Sequence, residues 1–154
     1  MGFNSAFNGL IKPVLLFGAE TWVPSKADEL RLGVCERKIL RRIYGPISEG
    51  ATWRPRYNEE LYRLCDETDL VTTVRITRLR WAGHIVRMQD NLPCKKITSD
   101  KPEGRRRVGR PNLRWMDGVM RDAERLGVRN CKSKAKDRGG WRRLLELAQT
   151  LHGL

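Results

Sequence analysis

Apolar residues recur at helical spacing along most of this chain, in segments that begin and end at recognisable capping residues. Ser25 and Asp28 have the spacing of a capping box, and Gly45-Pro46 is a typical helix stop. These signals predict a long helix over 25–45. No convincing alternation of apolar and polar residues indicates a strand. The sequence therefore predicts a mostly α fold, a small multi-helix bundle.

Further helices are predicted over 58–64, 70–88, 112–126 and 134–151. Asp69 is placed to cap the second of these, and Gly127 to end the third. Gly139 and Gly140 interrupt the last helix, each at a cost of about 1 kcal/mol relative to Ala. Residues 47–57 are predicted to form a loop, and residues 6–18 either a short helix or an extended strand.

Residues 89–111 are polar and basic and have few apolar side chains. Such a segment cannot bury enough apolar area to offset the cost of ordering, so it is predicted to be a flexible linker that stays mobile until it meets a partner. The predicted organisation has four parts: an N-terminal segment (1–24), a helical basic unit (25–88), the linker (89–111) and a C-terminal helical pair (112–154).

Positive charge is concentrated in one quarter of the chain. The formal net charge is +13, and residues 75–115 contribute +9 of it, whereas residues 26–69 are neutral. Arginines outnumber lysines by 22 to 9, and Arg binds phosphate with a planar fork that can also stack on bases. This pattern favours RNA or DNA over a membrane surface as the partner. A cationic face that is only solvated is the alternative.

The predicted helix over 70–88 carries the strongest local motif. Arg80, His84 and Arg87 follow one another at i, i+4 and i+7, so they project from the same side. Trp81 is expected on the apolar stripe that faces the core. His84 fits a hydrogen-bonded structural histidine better than a catalyst.

Gly109-Arg110-Pro111 matches the centre of an AT-hook, in which an extended segment inserts Arg into the minor groove. A general phosphate clamp is the favoured reading of this short match. Pro111 also suits the first turn of a helix.

No catalytic, metal or cofactor motif is present. The sequence has no Walker loop, HExxH, GxSxG or triad pattern, and no aromatic-x-Asp-Asp pair of a polymerase palm. The four cysteines are widely spaced without a CxxC pair, and a zinc site would have to combine Cys65, His84 and Cys94 without a recognised spacing. We therefore expect no catalytic residues, no metal, no cofactor and no small-molecule substrate.

No segment reaches the ~20 apolar residues of a membrane span, and no secretory leader is recognised. These features predict a nuclear or cytoplasmic protein that is not secreted and has no membrane partner.

Seven motifs occur in order along residues 8–154. They are PVLLFGAETW (13–22), ERKILRRIYGP (36–46), RYNEELY (56–62), RLRWAGHIVRM (78–88), GRRRVGRPNLRW (104–115), the stretch 135–141 and LHGL (151–154). This ordered set resembles the C-terminal part of non-LTR retrotransposon reverse transcriptases.

The resemblance implies that the chain holds the end of the thumb, with residues 1–24 as its remnant, and the tail that follows the polymerase. Such tails are thought to help hold template RNA and target DNA, and the missing polymerase domain would be a second partner. The nucleic-acid-binding residues implied are Arg75, Arg78, Arg80, His84, Arg87, Lys95, Lys96, Arg105, Arg106, Arg107, Arg110 and Arg114.

The chain departs from the family by lacking its endonuclease domain and the polymerase fingers and palm. Cys131 stands where relatives tend to have Trp, and Gly139-Gly140 replaces better helix formers. The expected function is therefore non-catalytic nucleic-acid binding. The alternative is a structural remnant, or a helical protein-interaction domain, of a truncated retroelement reading frame.

Overall fold

The computed structural model describes residues 7–65, 67–100 and 114–150. It is mostly helical, which confirms the predicted fold class. A π-helical turn (Phe7–Ile11) and a 3-10 turn (Ala19–Thr21) accompany these elements: α1 (Lys12–Leu15), α2 (Lys26–Tyr44), β1 (Ile47–Glu49), β2 (Thr52–Arg54), α3 (Asn58–Cys65), α4 (Leu70–Arg87), α5 (Pro93–Ser99), α6 (Trp115–Arg125), α7 (Cys131–Lys134) and α8 (Arg138–Thr150).

The described residues divide into two compact units. Residues 7–18 and 24–73 form the N-terminal unit, and residues 19–23 and 74–150 form the C-terminal unit. The boundary falls inside α4, between Thr73 and Val74. The four-part organisation predicted from the sequence is a different division, and it stays a prediction.

Local capping explains where the long helices begin and end. The Asp28 backbone N–H donates to Ser25 Oγ (3.3 Å), and the Ser25 N–H donates to the Asp28 carboxylate (3.0 Å), so the capping box of α2 is formed as predicted. At the other end, Gly45 has a φ of 66°, a conformation that glycine adopts without steric cost. The Asp69 carboxylate accepts from the Thr72 N–H (2.9 Å) and caps α4.

Helix α6 ends at the predicted glycine. The Val128 N–H donates to the Ala123 carbonyl (2.9 Å) and the Gly127 N–H to the Glu124 carbonyl (2.8 Å), which is the Schellman arrangement. Gly127 takes the required positive φ of 69°. The start of α6 differs from the prediction, because the helix begins at Trp115; Pro111, the predicted first-turn residue, lies outside the described residues.

The strands β1 and β2 correct the prediction of a loop over 47–57. They pair antiparallel, with Ile47 opposite Arg54, and Gly50 turns between them with a φ of 64°. Each strand has three residues, which is too short for a period-2 pattern to be visible in the sequence.

Helix α5 (Pro93–Ser99) forms inside the segment predicted to be a linker, where the sequence analysis expected no helix. Pro93 occupies the first turn, where its missing N–H costs nothing. The Lys95 ammonium donates to the carbonyls of Val86 (2.6 Å) and Met88 (3.2 Å), which satisfies acceptors at the end of α4. The rest of the predicted linker from residue 101 onward lies outside the described residues.

The two glycines of the last helix do not interrupt it. Helix α8 begins at Arg138, and Gly139 and Gly140 form its first turn beside the Asp137 carboxylate. The Gly139 N–H donates to that carboxylate (3.0 Å). A side chain at position 140 would collide with Asp137, so the small residue permits this cap.

Tertiary packing in the C-terminal unit centres on α4, α6 and α8. Its buried apolar cluster is Leu79, Ala82, Val119, Ala123, Val128, Ala135, Trp141 and Leu145. The Trp141 indole N–H donates to the Leu79 carbonyl (3.1 Å), and the indole lies directly on Gly83, where any Cβ would collide with it. Trp81, expected in the core, is only half-buried, because this close approach turns Leu79, Ala82 and Gly83 inward instead.

The N-terminal unit packs Phe7, Leu40, Leu61 and Cys65 together and buries one carboxylate, that of Glu36. This carboxylate accepts from the Leu70 backbone N–H (3.0 Å) and the Tyr62 hydroxyl (3.2 Å). Burial nevertheless raises the pKa of Glu36 to about 7, from an ordinary value of 4.5.

In the described residues, no helix combines the length and the apolarity needed to cross a bilayer.

This raised pKa predicts a pH-dependent stability. Between about pH 4.5 and 7 the folded protein holds a proton on Glu36 that the unfolded chain has lost, so the free energy of unfolding should fall as pH rises through this window. Glu36→Gln should reduce the difference between pH 5 and pH 8 by roughly 2 to 3 kcal/mol, measured by urea unfolding of both proteins. An unchanged pH dependence in the variant would contradict the assignment.

Candidate nucleic-acid interface

The segment from Arg78 to Arg87 on α4 sends its side chains in two directions. Arg78, Leu79, Ala82 and Gly83 are buried, whereas the three residues Arg80, His84 and Arg87 are exposed. The sequence predicted that these three share one side of the helix, and the structure brings them together on the wall of one groove. The buried residues therefore set how α4 packs, and that packing sets where the exposed ones point.

Arg78 is the charged member of the buried set, with 2% of its surface exposed. Its Nε donates to the Asp122 carboxylate (3.1 Å), its Nη2 approaches the same oxygen, and its Nη1 donates to the Trp22 carbonyl (3.4 Å). Gly118 leaves room for the guanidinium, because a Cβ there would lie 3.2 Å from Nη1. Arg78 was predicted to bind nucleic acid, but in the structure its guanidinium is buried and donates to acceptors inside the fold.

Arg75 lies beside the same carboxylate, with its Nε 3.9 Å from Asp122 Oδ1 and 12% of its side chain exposed. Two guanidinium groups thus converge on one buried Asp. Lys95 was also predicted to meet nucleic acid, but its ammonium caps the end of α4. These cations contribute to folding, which the charge count of the sequence cannot distinguish from binding.

We refer to the space between α4 and α8 as the arginine groove. It encloses about 470 Å³. Its lining residues come from both helices and are Arg80, His84, Arg87, Arg138, Trp141, Arg142, Leu145, Glu146 and Gln149. Four arginines therefore face a single carboxylate, that of Glu146, and the groove is strongly cationic.

Two contacts restrain the cationic wall formed by α4. Arg87 Nη1 donates to the Ala135 carbonyl (2.6 Å), which holds the guanidinium at the edge of the groove. The His84 and Trp81 rings lie 5.1 Å apart between centroids at an interplanar angle of 37°. On the opposite wall, Arg142 pairs with Glu146 at 2.9 Å, and both side chains are largely exposed. Exposed pairs of this kind are worth at most about 1 kcal/mol, so Arg142 can exchange partners readily.

Arg138 and Arg142 were not identified from the sequence. Both are exposed and stand at i, i+4 on α8, offset from the apolar stripe of Trp141, Leu145 and Ala148. That spacing can be read from the sequence. It indicates a binding surface only when α8 packs beside α4, and no local sequence pattern reveals that packing.

The remaining predicted residues lie elsewhere. Lys96 and Arg114 are exposed and are not among the residues that line the groove. Arg105, Arg106, Arg107 and Arg110 lie outside the described residues, as does the AT-hook-like motif.

Among the described residues, no group of three or more His, Cys, Asp or Glu side chains is arranged to hold a metal ion. Burial raises the pKa of the Cys65 and Cys131 thiols, which disfavours the thiolate form that binds metals. Cys35 and Cys94 are exposed free thiols.

Comparison with known proteins gives one informative similarity. The chain is 28% identical over 141 residues to an uncharacterized transposon-derived protein of Caenorhabditis elegans. The matched region covers 88% of this chain and 50% of the relative. The chain thus spans half the length of that protein. No protein-family model matches, and no solved structure matches. The similarity supports a transposon-related origin.

The buried ion pair predicts a large loss of stability on removal of its carboxylate. Asp122→Ala leaves the buried charge of Arg78 without a partner, which should lower the free energy of unfolding by about 3–5 kcal/mol. Glu146→Ala is the matched control, since it breaks the exposed pair with Arg142 and should cost at most about 1 kcal/mol. Urea unfolding measures both, and equal losses would contradict a structural role for Asp122.

Proposed function

We propose that this chain is a non-catalytic nucleic-acid-binding part of a non-LTR retrotransposon reverse transcriptase, and that it holds template RNA or target DNA through the arginine groove. The observation that carries the proposal is the convergence of four arginines from two helices on one groove that contains one carboxylate. Among the described residues, the proposed binding surface consists of Arg80, His84 and Arg87, joined by Arg138 and Arg142.

The chemistry of the groove suits phosphate. Each guanidinium offers five N–H donors in a planar fork, so Arg87 retains donors for a ligand after its bond to the Ala135 carbonyl. Arginines on both walls can neutralise successive phosphates of one strand. Such binding releases counterions and depends little on base sequence.

The retroelement part of the proposal is supported by two independent observations. One is the similarity to a transposon-derived protein. The other is the ordered set of motifs that resembles the end of a non-LTR reverse transcriptase, and its RLRWAGHIVRM motif supplies one wall of the groove. A nuclear or cytoplasmic location accords with this origin.

The role that we propose for the chain is non-catalytic, because the sequence has no aromatic-x-Asp-Asp pair to bind the metal ions of polymerisation. Primer extension on a primed RNA template with Mg²⁺ tests this part, and any extended product would contradict it.

A second candidate is a helical protein-interaction domain, or a structural remnant, of a retroelement reading frame. The observation that favours it is the apolar side chains that the N-terminal unit leaves exposed: Leu10 (71%), Val14 (77%) and Phe17 (87%). Leu10 lies in the π-helical turn, Val14 in α1 and Phe17 in the turn that follows, so the three exposed side chains belong to one short stretch of the chain. A polymerase domain would be the expected partner, and nucleic-acid binding would not be required.

The salt dependence of binding tests the proposed function. Fluorescence anisotropy with single-stranded RNA, duplex DNA and an RNA–DNA hybrid, between about 50 and 200 mM salt, should give affinities that fall steeply, with a log–log slope of about −0.9 per phosphate neutralised on duplex DNA. The double variant R80A/R138A should weaken binding to all three ligands and reduce the magnitude of the slope by about 2.

The matched control is R121A/R125A, which removes two exposed arginines of α6 that do not line the groove. It lowers the net charge equally and should leave the salt slope nearly unchanged. A salt-independent affinity, or equal losses in the two double variants, would contradict the proposal and favour the structural remnant.

A further inference from the structure

The wall that α4 contributes to the arginine groove carries one aromatic ring, that of His84, which phosphate binding alone does not use. His84 is exposed and lines the groove, and its ring rests against the half-buried Trp81 at a centroid distance of 5.1 Å. The larger indole restrains the orientation of the imidazole. Beneath the charged rim, the buried residues Trp141 and Leu145 add apolar surface to the lining.

We propose that the arginine groove binds single-stranded nucleic acid, with an unpaired base stacked on the His84 ring of the His84–Trp81 ring pair and the adjoining phosphates held by the groove arginines. This inference rests on the proposed function and names its ligand class. It assigns His84, which the family resemblance already implies as a nucleic-acid-binding residue, to contact with a base.

The ring pair favours a single strand over a duplex because only the single strand exposes the faces of its bases. In a duplex the base faces are stacked inside the helix, and only base edges and phosphates are accessible in the grooves. A single strand exposes base faces, and proteins bind it by combining a cationic groove with aromatic side chains on which bases stack. Both elements meet at His84, which has an arginine at i−4 and another at i+3 on α4.

The size and lining of the groove also favour a single strand as the ligand. A volume of about 470 Å³ lies within the range of about 300–1,000 Å³ typical of sites that enclose a small ligand. The flat, apolar face of a base suits a lining that contains Trp141 and Leu145. A site for duplex phosphates would need only the arginines at its rim. An acidic peptide would likewise bind to the arginines and would not need to contact the ring pair.

The test compares one labelled 12-nucleotide RNA, alone and annealed to its complement, by anisotropy at constant salt. The variants are His84→Ala, which removes the ring, His84→Phe, which keeps an aromatic face, and Arg80→Ala, which removes a charge beside an intact ring. His84 is exposed, and thermal unfolding confirms that each variant is folded. A polyglutamate peptide of the same charge serves as the protein-like competitor.

We expect His84→Ala to weaken single-strand binding by about five- to tenfold, in keeping with the loss of one base–aromatic stack. Its effect on the duplex should stay within about twofold, His84→Phe should restore single-strand binding, and Arg80→Ala should weaken both ligands alike. Polyglutamate should compete poorly.

Three results would overturn the inference while leaving the proposed function standing. These are tighter binding of the duplex than of the single strand, equal losses on both ligands with His84→Ala, and no loss with His84→Ala on either. Polyglutamate that competes as well as the RNA would reassign the groove to acidic proteins. Absence of salt-sensitive binding by the unmodified protein would remove the proposed function as well.

Discussion

Arg78 carries a full positive charge into the interior of the C-terminal unit, and Asp122 is the carboxylate that makes this burial possible. An unpaired ion in such a site would cost several kcal/mol, so the two residues must meet whenever the unit is folded. Gly118 on α6 gives the guanidinium room, and the Trp22 carbonyl accepts another of its hydrogen bonds. One buried pair thereby ties α4 to α6 and to the 19–23 segment.

The rotation of α4 that this pair requires has a consequence on the opposite side of the helix. With Arg78, Leu79 and Ala82 buried, and with Gly83 packed against the Trp141 indole, the exposed side of α4 carries Arg80, His84 and Arg87. These three residues line the same groove as Arg138 and Arg142 of α8. The same motif therefore supplies contacts that hold the unit together and the charged wall of the groove, so a short run of residues can serve both folding and the binding that we propose.

Features that depend on near neighbours were predictable from the sequence. The Ser25–Asp28 capping box, the Asp69 cap and the Gly127 stop each join residues only a few positions apart, and all three are formed. The helical period of the apolar residues gave the fold class for the same reason. The hairpin was missed because its strands are too short to show a period, and α5 because its few apolar residues resemble a linker.

The candidate site was only partly predictable, because its assembly depends on contacts between residues distant in the chain. Arg78 and Asp122 are 44 positions apart, and Trp141 and the Leu79 carbonyl are 62 positions apart. Charge and spacing identified Arg80, His84 and Arg87 correctly as one face. They could not separate Arg78, whose charge is neutralised inside the fold, from its exposed neighbours, nor bring Arg138 and Arg142 to the same groove.

The central claim is this division of arginines between folding and binding, and NMR of the arginine Nε–Hε groups tests it most directly. Titration with single-stranded RNA at low salt should shift the signals of Arg80, Arg87, Arg138 and Arg142, because their guanidinium groups meet phosphate. The Arg78 signal should stay in place, since its Nε–Hε donates to Asp122. RNA binding that leaves the four groove signals unmoved, or that shifts Arg78 as strongly as Arg80, would contradict this account.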